Sequence, residues 1–218
     1  MTKGWISILA GPSEIFTIAD DSADPRILAA DMLAQAEHDI HTRVGLATTS
    51  RDIAERTLAE VERQLASLPT AATAGEAWRR QGEIVLCEDE AQLIAFADYM
   101  ATEHLQVHTR DPHATAAKIR NYGSLFIGQN ASVVFSDKCC GTNHTLPTMA
   151  AARYTGGLWV GAYVKICTHQ WIDEQGIPAI AEPAIRQSRT EGMQGHRRAA
   201  EIRLRPQDID AITTGMRD

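Results

Sequence analysis

The chain has 218 residues, 44% hydrophobic and 22% charged, enough for one large domain or one and a half, and this excludes intrinsic disorder, collagen and coiled coil. Its 21 basic residues are outnumbered by 28 acidic ones, for a net charge of -7, and no basic run exceeds two residues. Neither a nucleic-acid backbone nor an anionic membrane surface is therefore expected as a partner.

No apolar run approaches the roughly 18 residues of a membrane span, and residues 5–10 behind a single Lys3 are too short for a secretory signal. A cytoplasmic protein is expected. Cys87, Cys139, Cys140 and Cys167 match neither a CxxC pair nor a secreted disulfide framework, and Cys139–Cys140 reads as two buried thiols.

Short apolar runs alternate with longer amphipathic ones over the first 130 residues, the pattern of a parallel sheet covered by helices. Strands are predicted at residues 6–9, 15–19, 44–48, 83–86 and 124–127, each rich in Ile, Val, Leu or Thr. A helix is predicted over 23–37, with Ser22 and Asp24 as caps, Pro25 in the first turn, and Ile27, Leu28, Met32 and Leu33 at helical spacing. Others are predicted over 51–68, with Ile53, Leu58, Val61 and Leu65 as the apolar stripe, over 88–103, and more briefly over 112–121. After Gly141, Pro147, Gly156, Gly157, Gly161, Pro178 and Pro183 break the chain into short helical pieces, ending in an arginine-studded segment. Residues 1–155 are read as an α/β metal- and substrate-binding domain and 156–218 as a helical tail. That tail is too small to bury a core alone, so it packs on the α/β layer or on another subunit.

Chemistry-bearing residues fall into a few groups. Gln35 and His38 are three apart on the first helix, so an amide oxygen and an imidazole leave one face near its end, with Asp39 following. Glu103 and His104 put a carboxylate beside an imidazole at a helix end, a combination suited to general acid–base work or to a solvated terminus. Asn143, His144 and nearby threonines crowd the loop before Pro147. His196 stands five residues after Glu191, with nothing local to distinguish it. The sequence has no G-x-G-x-x-G, Walker, H-E-x-x-H or G-x-S-x-G pattern.

Taken in order, several stretches form a set: Ala10-Gly-Pro-Ser-Glu14, Ala19-Asp20, Ser22-Ala-Asp-Pro25, Leu33-Ala-Gln-Ala-Glu-His-Asp39, Glu103-His104, Asn143-His-Thr-Leu-Pro-Thr148 and Glu191-Gly-Met-x-x-His196. The set resembles the histidinol dehydrogenase family over nearly the whole chain, at the C-terminal half of that family's usual polypeptide. The resemblance implies an incomplete Rossmann-like, mostly parallel sheet with flanking helices, plus a C-terminal helical tail swapped in a homodimer. It implies a zinc ion held by Gln35, His38, Asp137 and, from the partner subunit, His196. It makes His104 the general base and Glu103 the activator of water in an NAD-dependent oxidation of a small alcohol through an aldehyde to a carboxylate. Ser13, Gln35, His38, His144 and Glu191 become substrate contacts. No cofactor-binding residue is implied, because the family's other half provides most NAD contacts.

The stretch Asp137-Lys-Cys-Cys-Gly-Thr142, followed by Ala152-Arg-Tyr-Thr-Gly-Gly-Leu-Trp, is similar to the sulfopropanediol dehydrogenase branch. Histidinol and a sulfonated or other small polyol are both open as substrates, with Lys138 or Arg153 as a partner for an anion. Three functional readings stay open: an oxidoreductase half, one half of a split enzyme completed by a separate N-terminal half, and a non-catalytic metal- and ligand-binding module. A purely structural dimer that retains the ligands by descent is a fourth.

Overall fold

Strands buried on both faces need apolar side chains at consecutive rather than alternate positions. Residues 14–19 come close to that, and Glu14–Ala19 forms β1 with all six side chains buried. In this computed structural model, which describes residues 11–214, β1 is the central strand of a five-stranded sheet. The others are β2 (Arg43–Thr48), β3 (Gly82–Leu86), β4 (His104–His108) and β5 (Ser124–Ile127). Their order is β3-β2-β1-β4-β5 and every pairing is parallel. The direction of winding reverses between β1 and β4, as in an incomplete Rossmann-like layer.

Helices cover both faces. Leu28, Met32 and Leu33 of α1 (Pro25–Ala36), Ile53 and Val61 of α2 (Arg51–Leu65), and Ala74 and Ala77 of α3 (Ala71–Gln81) pack in one cluster with Ile15, Val44 and Leu46. Phe16, Ile18, Leu105 and Val107 form a second cluster with Leu93 and Ala97 of α4 (Glu90–Met100). Each large apolar side chain so buried contributes roughly 1.5–3 kcal/mol. Gly45 in β2 must lack a side chain, because a Cβ there would lie 2.2 Å from the Phe16 ring. Two short helices, α5 (Pro112–Ala116) and α6 (Val133–Lys138), flank β5.

Local signals account for most of these boundaries. Asp24 accepts the Arg26 N–H at the start of α1 and Ser50 the Ile53 N–H at the start of α2. The strands predicted at 15–19, 44–48, 83–86 and 124–127 are β1, β2, β3 and β5, while the one predicted at 6–9 lies outside the described residues. Several expectations fail, among them the helix predicted over 112–121, which forms only over Pro112–Ala116. The helix predicted to run to residue 103 stops at Met100, because Ala101 turns left-handed (φ 46°), and Glu103 and His104 then belong to the approach and first residue of β4. Cys139 and Cys140 are exposed rather than buried; both backbone N–H groups close onto the Phe135 carbonyl at the end of α6, and the Cys139 thiol donates to the same oxygen at 3.5 Å.

Cys167 is exposed and Cys87 buried. The chain divides into two compact units between Lys165 and Ile166. In the second, α7 (Ile177–Thr190) packs on α8 (Gln194–Leu204), the two joined by a turn through Gly192 (φ 72°), and α9 (Ile209–Thr214) follows. Glu201 of α8 is buried and paired with Arg189 of α7 at 3.3 Å. No helix among the described residues is long and apolar enough to cross a membrane.

Candidate functional site

The amino end of the sheet, where β1 and β4 begin side by side, holds a buried polar arrangement. His104 is 4% exposed, and its Nδ1 lies 2.9 Å from the Glu14 carbonyl oxygen and 3.3 Å from Glu103 Oε2. A carbonyl oxygen only accepts, so Nδ1 carries the hydrogen and Nε2 is left with its lone pair, the form a general base needs. Burial works against the charged imidazole. The Glu103 carboxylate, the Glu14 carbonyl and the charge of Asp137 outweigh it and hold the His104 pKa above the ordinary value.

Glu103 is equally enclosed. Its Oε2 accepts the Glu14 N–H at 2.9 Å, and Glu14 Oε2 returns the contact by accepting the Glu103 N–H at 3.3 Å. The other Glu14 oxygen accepts the Met149 N–H at 3.0 Å. Burial pushes the Glu14 carboxyl up, against those two N–H donors and Arg43. Glu14 escapes a search for functional residues because it sits in an apolar strand run; its position just before the β1–β4 junction is a tertiary fact.

A second group lies beside it. Gln35, in the last turn of α1, His38, just beyond the helix, and Asp137, in α6, line one cleft of about 110 Å³ together with Asp31, Ser132 and Lys138. His38 thus stands off the helix on which it was expected, its N–H bonded to the Gln35 carbonyl at 3.1 Å and its side chain exposed. The Gln35 side chain is 2% exposed, on the wall of that cleft. A buried amide opening on a cleft with an imidazole and a carboxylate suits a borderline cation that takes mixed nitrogen and oxygen donors. No three His, Cys, Asp or Glu side chains among the described residues form a metal cluster by themselves. Here two such groups are joined by an amide.

The cleft is braced from within. Gln106 of β4 donates to Asp31 Oδ2 at 2.8 Å, Ser132 donates to Asp31 Oδ1 at 2.8 Å, and Thr17 of β1 donates to Gln106 Oε1 at 3.0 Å. This chain of bonds ties β1, β4, α1 and the start of α6 together, four residues before Gln35 and five before Asp137.

The remaining candidates are dispersed. Ser13 precedes β1, half-buried, its carbonyl accepting the Arg43 N–H. His144 is exposed in the loop after α6, where Asn143 Oδ1 accepts the Thr145 N–H at 2.9 Å. Glu191 and His196 are exposed in the second unit, at the end of α7 and the start of α8. Arg153 is exposed and stacked on Tyr99, with the guanidinium 5.7 Å from the ring centre. At the opposite, carboxyl end of the sheet a cavity of about 310 Å³ is lined by Asp20, Asp89, Glu90 and Asp111 with Thr49 and Thr109. Four carboxylates there repel a pyrophosphate, so the described residues of this crevice do not fit NAD.

Known proteins resemble this chain over most of its length. A family model described as histidinol dehydrogenase matches residues 2–204. Histidinol dehydrogenase homolog 1 of Mesorhizobium japonicum is 49% identical over 93% of this chain and 41% of its own length. Sulfopropanediol 3-dehydrogenase of Ruegeria pomeroyi is 42% identical over 91% and 46%. Histidinol dehydrogenase homolog oryD of Aspergillus oryzae is 36% identical over 90% of this chain and 83% of its own length. The crystal structure of histidinol dehydrogenase from Elizabethkingia anophelis superposes with a TM-score of 0.83 at 36% identity, over 91% of this chain and 46% of that one. The chain thus spans less than half the length of the bacterial relatives named here, whereas the fungal relative is nearly as short. On these matches the chain belongs to the histidinol dehydrogenase family.

Proposed function

We propose that this chain carries the proton-transfer and metal-binding side of an NAD-dependent oxidation of a small alcohol through an aldehyde to a carboxylate. The observation that supports it is the His104 imidazole, buried, with Nδ1–H engaged by a carbonyl and a carboxylate and Nε2 left basic. In this reading His104 Nε2 takes the hydroxyl proton in the first oxidation, and Glu103 takes a proton from water in the second. Glu103 also stabilises the imidazolium that forms. Ser13, His144 and Glu191 contact substrate.

Gln35, His38 and Asp137 are the protein donors for a zinc ion, and His196 of a second copy completes the set in a homodimer. When bound, zinc supplies a Lewis-acidic centre that orients the substrate's donors. The acidic crevice at the far end of the sheet favours NAD binding on residues outside those described, provided by a separate N-terminal half. It is also the observation that favours the second reading, a metal- and ligand-binding module without turnover.

The test is to load the purified chain with zinc, measure metal content, and follow NADH formation with histidinol and with sulfopropanediol, alone and with the N-terminal half of a longer relative. Stoichiometric zinc with NADH formed in either case supports the oxidoreductase. Zinc and ligand-dependent thermal stabilisation without NADH in both cases supports the binding module. Zinc far below one per chain overturns the metal assignment.

A further inference from the structure

We infer that Glu14 is a positioning residue: its carboxylate fastens the loop of residues 143–150 to the Glu103–His104 corner, and so sets substrate affinity. The inference rests on the dehydrogenase reading only for its kinetic consequence. Glu14 is 5% exposed, yet it remains a carboxylic side chain rather than an apolar one in a strand whose other positions are filled mainly by Ile, Phe and Ala. Its two oxygens go to two different segments. One accepts the N–H of Glu103, immediately before β4, and the other the N–H of Met149.

The loop needs such a fastening. Met149 and Ala150 are consecutive non-glycine residues in the left-handed region, at φ 55° and 60°, a conformation disfavoured by contact between Cβ and the backbone. Two bonds hold this part of the loop to β1 and the segment before it: Glu14 takes the Met149 N–H, and Thr148 Oγ1, next to the pair, accepts the Gly11 N–H at 2.6 Å. His144, five residues before Met149, rides on the same loop, with the rigid Pro147 between them. If His144 contacts substrate, its distance from His104 is fixed through Glu14.

The His104 tautomer, in contrast, depends on the Glu14 backbone carbonyl, which side-chain substitution leaves in place. Loss of the carboxylate should therefore change binding more than proton transfer.

Two variants test this. Glu14→Gln keeps the volume but turns an N–H toward one of the two donors. Glu14→Asp keeps the charge but shortens the arm so that it cannot span both. Amide hydrogen exchange on the full chain, without metal or NAD, is the first measurement. The Met149 and Glu103 amides are expected to exchange about tenfold faster or more in the variants, while the amides of β2 and β3 keep their protection. Unchanged protection at Met149, or equal acceleration throughout β2 and β3, overturns the proposal. So does a failure of both variants to fold, which would make Glu14 a residue of the fold alone.

The second measurement is steady-state oxidation under whichever condition supports turnover. KM is expected to rise about tenfold with kcat within about threefold of the parent. A fall in kcat at constant KM overturns the positioning role. If no condition gives turnover, the dehydrogenase reading fails, and the exchange experiment still decides whether Glu14 holds the loop.

Discussion

His104 opens β4 and His108 closes it; four residues apart on a strand, the two side chains leave the same face of the sheet, and they are 4% and 1% exposed. Their surroundings differ completely. His104 meets a carbonyl, a carboxylate and the field of Asp137, and its pKa is raised. Both nitrogens of His108 lack a hydrogen-bond partner among the described residues, and burial depresses its pKa despite the charge of Asp31. Burial alone makes a histidine a worse base; oriented acceptors beside it make a better one. The polar groups of the first unit that suit catalysis accordingly gather at the amino end of the sheet, opposite the crevice at which Rossmann-like layers usually bind ligands.

The strongest way to break this comparison is to exchange the roles of the two residues. His104→Asn keeps a donor for the Glu14 carbonyl and removes the basic nitrogen, so turnover is expected to fall about 10²- to 10⁴-fold with zinc content unchanged. His108→Leu should leave turnover within about threefold of the parent. Steady-state NADH formation reads both, and equal losses in the two variants would dissolve the contrast.

Asp31 lies between the two ends, bonded to Gln106 at the middle of β4 and to Ser132 at the start of α6. Removing it with Asp31→Ala should lower zinc affinity about 10- to 100-fold, because the helices carrying Gln35 and Asp137 lose their shared brace. Titration against a competing chelator at constant pH measures this. Unaltered affinity would mean that the cleft is held by packing alone.

Stability against pH sharpens the comparison, since the two histidines act with opposite sign. His104, raised in the fold, contributes stability that is complete below the ordinary histidine value of 6.5 and is lost as pH rises through its folded value. His108, depressed in the fold, costs nothing above 6.5; its penalty grows as pH falls from 6.5 through its folded value, because the unfolded chain takes up the proton first. His108→Leu should therefore flatten the acid side of the stability profile, and His104→Asn the neutral-to-basic side. Denaturant melts between pH 5 and pH 8 (about 3 units around the histidine range) follow both slopes.

The smallest effect concerns the thiols. Cys139, Cys140 and Cys167 should react with a thiol reagent in the native chain, while Cys87, buried and with its thiol pKa pushed up by burial, reacts only after unfolding. Protection of Cys139 and Cys140 would return them to the interior.

Much of the layer was legible in local chemistry. Asp24 and Pro25 announce α1, Ser50 announces α2, and the apolar runs at 15–19 and 44–48 mark strands buried on both faces. Helix α3 was not legible, because Thr70 offers no side-chain cap and Gly75 interrupts its pattern. Strand β4 was hidden for a related reason: the helix before it ends on Ala101 in a left-handed conformation that is ordinarily marked by glycine, and Ala gives no such mark. Of the site, local chemistry made the residue types legible, and only the family resemblance grouped them.

From the order of residues alone follow the alternation of strands and helices, the caps, and the ordered motif set that resembles one enzyme family. Only tertiary structure decided that Glu103 and His104 leave the helix for the buried edge of a strand and that Glu14 joins two segments 89 and 135 residues away, and it supplied the braced cleft for Gln35, His38 and Asp137, which the resemblance had already grouped. The physical reason is one of range. Capping and periodicity are settled within a turn or two of chain, whereas the basicity of a nitrogen depends on which distant acceptors the sheet brings within 3 Å of it (about one hydrogen-bond length).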